Sequence, residues 1–346
     1  VDAYSKEYLE SKLPKSNTGV IEDIQAYSRV TSAIAILLAN GRKQDYMDLW
    51  LKMMDACCYS AGKITNDSRL DFSVKEIMLG YKAMKHKIPE ERREYWLGLL
   101  KEVDPYKNYY YVIRDEESRR RLHNINIYNM VGEYLRETEG LTDTTRYFDE
   151  HWPEQFTRFD ENGMYKDPGN PMLYDLTTRC QIQIMLEYGY RGKYYEKIDE
   201  MLKKAGLYTL FMQSAAYEFP FGGRSNQFLF NEALIAANCE YEAKRYKELG
   251  DLKTAGAFKR CAHLAIKTTQ RWLKGINVPK HIKNFYPIES KFGTENYGYY
   301  DKYMVTLGCF AYIAFISADD SIEEYPAPAE TGGYIFETSK DFHKIF

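Results

Sequence analysis

Apolar residues recur at three- and four-residue spacing along most of the chain, and Gly, Pro, Asn and Asp interrupt the runs. This is the pattern of amphipathic helices joined as hairpins. It predicts helices over Ile21–Asn40, Asp45–Ala61, Val74–His86, Pro89–Glu102, Ser118–Thr138, Asp143–Phe159, Leu173–Tyr188, Tyr194–Met212, Ser225–Leu249, Leu252–Lys274 and Asp301–Ala318. Their ends carry physical punctuation. Pro89, whose missing N–H is harmless in a first turn, precedes Glu90 and Glu91 at the positive helix end. Gly140, Gly189 and Gly250 suit left-handed caps, while Thr142 or Asp143, and later Ser225, suit N-caps. Pro153 is placed to kink or end its helix. Short connections make consecutive helices antiparallel neighbours.

No period of about 34 or 40 residues is visible, so a regular solenoid gives way to a closed or nearly closed ring of hairpins. The expected fold is all-α, an (α/α) toroid over residues 1–325. Residues 326–346 are expected to be a linker and the first strand of a β domain, because Gly332-Gly333-Tyr334-Ile335-Phe336 reads as a strand. Val1 is not an initiator methionine, and neither a signal-peptide core nor a bilayer-length apolar run is present. The expectation is a secreted or periplasmic protein, its leader removed, that does not insert into a membrane.

Composition refines this picture. At 346 residues, 45% hydrophobic and 28% charged, the chain is globular in make-up, with room for one large core or two ordinary domains. A net charge of −3, with Lys and Arg dispersed among acids, leaves no basic stripe, and nucleic acid is not an expected partner. Cys57, Cys58, Cys180, Cys239, Cys261 and Cys309 lie mainly in apolar helical stretches without CxxC spacing, which favours buried free thiols over zinc or disulfides. Tyrosine is the unusual entry, at 32 residues. Most are expected at helix interfaces, but rings with polar tips also suit wet clefts that stack on flat ligands such as sugars.

Two connections, Asp160–Met172 and Gly275–Tyr300, exceed ordinary loop length, and long loops in compact domains are usually functional. On a toroid they converge at one rim. The first leads into a helix opening with Tyr174 and Asp175, where the acid serves either a ligand or the first helical turn. The run Tyr217-Glu218-Phe219-Pro220-Phe221-Gly222-Gly223-Arg224-Ser225-Asn226-Gln227 is the sharpest signal. Its glycines let a ligand approach the backbone, Arg224 can grip a carboxylate through two parallel hydrogen bonds, and Asn226 and Gln227 add donors at a helix start. The competing reading pairs Arg224 with a structural acid. A third stretch sets Glu295, Asn296, Tyr297 and Tyr300 around Gly293 and Gly298, equally suited to a cleft wall and to a loop packed over the rim. His123, Asn124, Asn126 and Asn129 share one otherwise apolar helix and predict a polar network or cavity. Trp152 suits either sugar stacking or core packing. There is no P-loop, dinucleotide fingerprint, HExxH or GxSxG elbow, and no cofactor or metal is expected.

At these motifs the chain resembles the helical toroid domains of uronate-acting enzymes: heparinase II/III-like (α/α) polysaccharide lyases and (α/α)-barrel β-glucuronidases of Bacteroides type. The resemblance spans about residues 20–346. It is carried by the long hairpins, by the Gly163-Met164-Tyr165 loop leading to Tyr174-Asp175, by the Gly222-Gly223-Arg224-Ser225-Asn226 turn and by the strand-like exit at Tyr334. It implies cleavage of uronic-acid-containing glycans, preferably by β-elimination. In such lyases an amide or Arg neutralises the substrate carboxylate, a Tyr or His removes the C5 proton, and a Tyr protonates the leaving oxygen. The resemblance assigns Arg224 and Asn226 to the carboxylate and Tyr174, Tyr297 or His123 to proton transfer. Asn126, Trp152, Glu295, Asn296 and Tyr300 are the further substrate-binding candidates. The Asn-His-Gly stretch of some lyases is missing, which leaves subfamily and base open. Hydrolysis instead needs two carboxyl groups, for which Glu218, Asp175 and Glu295 are available. A non-catalytic glycan-binding or scaffold domain is the third reading.

Overall fold

The computed structural model describes residues 4–16, 18–113, 124–220, 223–274, 282–284, 286–290, 292, 295, 301–335 and 337–338. The protein is all-α, 66% helical. Among the described residues there is no sheet; the extended backbone pairs in isolated bridges, Phe159 with Tyr165 and Phe228 with Ile282, and Glu337 is also a bridge residue. The long helices are α1 (Ile24–Ala39), α2 (Met47–Lys63), α3 (Ser73–Met84), α4 (Glu90–Lys101), α5 (Asn124–Glu137), α6 (Thr145–Phe156), α7 (Met172–Glu187), α8 (Tyr195–Met212), α9 (Phe230–Glu248), α10 (Leu252–Lys274) and α11 (Asp301–Ser317). Each matches a helix expected from the apolar periodicity. The short helices Lys6–Ser11, Pro105–Asn108, Tyr110–Ile113 and Pro328–Thr331 do not, being too brief to show a period.

Gly140, Gly189 and Gly250 all adopt positive φ, as left-handed caps require. Asp143 accepts the Thr145 N–H through Oδ1. Pro153 does not end its helix, and Ser225 does not start one. α6 continues through Pro153 to Phe156, at the loss of one helical hydrogen bond. Ser225 is not the N-cap of α9: it adopts φ +65°, and α9 starts at Phe230, after an irregular turn.

The chain divides into two compact units, Val1–His151 and Trp152–Phe346. In the first, α3 packs against α1 and α5, and α2 against α1 and α4. Close approach sets the α3–α5 contact, since a Cβ at Gly132 would lie 3.1 Å from Lys75 N and 3.3 Å from Val74 Cβ. The core holds Trp50 and Trp96 edge to face at 5.6 Å. Buried indoles need acceptors, and theirs are Thr31 O at 3.0 Å and Asp55 Oδ1 at 2.7 Å.

In the second unit α9 is central, packing along α10 and α11 and touching α7 and α8. Leu234, Ile235, Ala236, Ala237 and Cys239 are fully buried on it, and each large aliphatic so enclosed contributes roughly 1.5–3 kcal/mol. All six cysteines are free and buried. Near the end of the described chain Tyr334 donates to Phe211 O at 2.8 Å and meets the Phe211 ring edge to face. No helix among the described residues is long and apolar enough to cross a membrane.

Candidate functional site

The loop after α6 is built around Asp160, whose Oδ1 accepts the N–H groups of Asn162 and Met164 at 2.9 Å each. Gly163 closes the turn with φ +76°. A Cβ there would lie 2.1 Å from Met201 O, so only glycine lets the loop lie against α8. The loop then enters α7. Asp175 in the first turn is fully buried; its Oδ1 accepts Tyr165 N at 2.7 Å, and both its oxygens take the Arg179 guanidinium, at 2.9 and 2.7 Å. Arg179 spends two further donors on Thr209 Oγ1 and Asn238 Oδ1. A buried guanidinium of this kind needs every such partner. Asp175 is therefore the anchor between loop and helix core.

Beside Asp175 in the first turn of α7, Tyr174 is only half-buried. The Arg224 guanidinium carbon sits 4.4 Å from its ring centre, and its hydroxyl lies 3.1 Å from Ser225 Oγ. Arg224 is held in turn by Asp167 Oδ2 at 2.5 Å and by Pro168 O. Asp167 is buried, whereas the Arg224 side chain keeps 38% exposure. Ser225 N donates to Glu295 Oε1 at 2.5 Å. Three separate stretches thus meet at one place in this unit: Asp167 to Tyr174, Gly223 to Asn226, and Glu295. Asn170, Tyr217 and Ser225 all have positive φ without being glycine, and such strain persists where surrounding contacts over-determine it, often at functional sites.

The other named residues lie as follows. Asn226 donates to Pro220 O at 2.6 Å and shapes the turn. Glu218 is paired with Arg271 Nη2 at 2.8 Å and accepts Trp272 Nε1 at 2.9 Å. Trp152 is fully enclosed, stacked on Phe156 at 5.4 Å. His123, Asn296, Tyr297 and Tyr300 lie outside the described residues.

The first unit has its own polar interior along α5. Asn129 donates to Asp71 Oδ1 at 3.1 Å and accepts from Tyr147 OH at 2.5 Å. Asp71 also takes the N–H groups of Tyr110 and Tyr111. Desolvation nonetheless pushes its carboxyl up to about 7. One turn on, Glu133 accepts from Tyr109 OH and pairs with Arg136, and burial raises its carboxyl too. Asn126 is buried with its amide 3.4 Å from Tyr111 O. The asparagine run does report a buried network. Asp71, its hub, has no sequence signal, because it reaches Asn129 from 58 residues away. Asp167 likewise escaped notice, since nothing in its neighbours points to Arg224, 57 residues on.

No protein-family model matches this chain, and no curated protein matches it at a significant level.

Proposed function

We propose that the rim of Tyr174, Arg224, Ser225 and Glu295 binds uronic-acid-containing glycans and cleaves them by β-elimination, and that the helical hairpins belong to an (α/α) toroid. The observation that carries this reading is the layering of a partly exposed guanidinium over a tyrosine whose hydroxyl adjoins a serine and, among the described residues, meets no carboxylate. Arg224 uses two of its five donors on Asp167 and Pro168; the others serve a substrate carboxylate. Neutralising that carboxylate acidifies the adjacent C5 proton. A base removes the proton, its electron pair forms the C4–C5 double bond, the C4–O bond breaks, and the leaving oxygen takes a proton. Tyr174 is the residue assigned to proton transfer, with Ser225 orienting its hydroxyl.

The acids support elimination over hydrolysis. Hydrolysis requires one protonated and one ionised carboxyl group across the scissile bond. Asp175 is fully buried against Arg179, and Glu218 is tied to Arg271 and Trp272, leaving Glu295 alone of the three acids at the rim. The proposal uses neither Asp175 nor Trp152. A periplasmic or secreted location fits a glycan substrate.

The test is incubation with glucuronic-acid-containing oligosaccharides while following the ultraviolet absorbance of the 4,5-unsaturated uronate. Appearance of that band, abolished in Tyr174→Phe, supports elimination. Sugar release without the band makes the protein a hydrolase, and binding without turnover makes it a glycan-binding domain.

A further inference from the structure

Asn231 and Glu232, adjacent in the first turn of α9, gather the chain segments behind the rim. Asn231 Nδ2 donates to both Ser225 O and Asn226 O, at 3.1 and 3.0 Å, and so holds the positive-φ turn that carries Arg224 and Ser225. Glu232 Oε1 accepts Phe219 N at 2.9 Å and Lys283 Nζ at 2.5 Å. Lys283 N donates in turn to Gln227 O at 2.5 Å, beside the Phe228–Ile282 bridge. The stretch that leads to Glu295 is thereby fastened to the stretch that carries Arg224.

These two residues are held at an energetic cost. Both are fully buried, and Asn231 Oδ1 and Glu232 Oε2 accept no hydrogen bond among the described residues. An unsatisfied buried acceptor destabilises the fold, and a buried ion pair such as Glu232–Lys283 is often no more stable than an apolar pair of the same shape. Side chains chosen for stability alone would not be these. We propose that Asn231 and Glu232 are positioning residues, a clamp that fixes the rim loops in their reactive geometry. The proposal rests on the reading of the rim as the catalytic site.

Two variants separate positioning from stability. Glu232→Gln with Lys283→Met keeps an acceptor for Phe219 N and removes the buried pair; Asn231→Leu removes the donor to Ser225 and Asn226 together with the unsatisfied oxygen. Each is expected to melt within a few degrees of the unmodified protein. Each should also show at least tenfold faster hydrogen exchange at the amides of residues 223–229, with α9 and α10 interiors unchanged, and a kcat at least tenfold lower with a smaller change in KM, the signature of misplaced groups. Unchanged exchange at 223–229 overturns the clamp. So does exchange raised throughout the unit together with a lowered melting temperature, which marks a general structural role, and so does faster rim exchange with kcat intact. If the unmodified protein turns over no uronate, the catalytic reading fails on its own, and the exchange pattern still decides whether the clamp exists.

Discussion

Arg224 carries its guanidinium 4.4 Å from the centre of the Tyr174 ring, while the ring's hydroxyl lies 3.1 Å from Ser225 Oγ. The cation faces the ring, and the polar tip is left to a neutral partner. Tyr174→Phe keeps the surface under Arg224 and deletes only the hydroxyl. It is expected to lower turnover of uronate oligosaccharides by about 10²-fold or more, as loss of a proton-transfer group does, with unfolding free energy altered by less than about 1 kcal/mol. Steady-state rates alongside urea denaturation check both; an unimpaired rate removes Tyr174 from the chemistry.

Arg224 has two partners to satisfy, the buried Asp167 and the proposed substrate carboxylate. Arg224→Ala should weaken carboxylated ligands by about 1.5–3 kcal/mol and leave neutral analogues nearly unaffected. The same change takes the guanidinium away from the buried Asp167 carboxylate and lowers stability. Adding Asp167→Asn should restore the melting temperature without restoring affinity. Calorimetric titration of the single and double variants reads the two effects apart, and equal weakening of charged and neutral ligands would refute the carboxylate role.

The Asp175–Arg179 pair is fully enclosed. Removing one partner leaves an uncompensated buried charge, so Arg179→Met is expected to destabilise by about 3–5 kcal/mol. Asp175→Asn combined with Arg179→Met should recover much of that, because Asn Oδ1 still accepts Tyr165 N. If Arg179→Met unfolds at the same denaturant concentration as the unmodified chain, the pair is no anchor.

Glu242 sits fully buried on α9 with Oε2 on Arg245 Nε at 2.7 Å, while Oε1 has no hydrogen-bond partner among the described residues. Desolvation raises its carboxyl to about 7, against the opposing pull of Arg245 and Arg179, while Asp199 adds to the rise. The folded state therefore holds a proton that the unfolded state has released over the window from about 4.5 to 7. The associated stability is fully present below the lower value and is lost as pH rises through the upper one, at up to about 1.4 kcal/mol per pH unit. Glu242→Gln should flatten this slope. Urea denaturation at pH 5 and pH 8 for both proteins gives the comparison, and identical pH dependence would show that Glu242 stays ionised in the fold.

What the sequence by itself determined was the helical architecture: where each long helix lies, which glycines end them, and that all six cysteines are buried and free. These follow from local periodicity and backbone conformation, which need no knowledge of distant residues. It also marked the stretches around Tyr174, Arg224 and Glu295. The tertiary structure alone decided what each side chain there does. Arg224 met Asp167 across 57 residues, Asp175 turned inward to Arg179, Ser225 became a strained turn rather than a cap, and Asn129 found Asp71. Hydrogen-bond partners that far apart are chosen by how helices pack, and a carboxylate beside a helix start reads identically whether it faces solvent or a buried guanidinium. Division into two units was equally hidden, because α6 carries an unbroken apolar pattern across the boundary at His151 and Trp152, and local pattern reports that a helix has a buried face, not which core receives it.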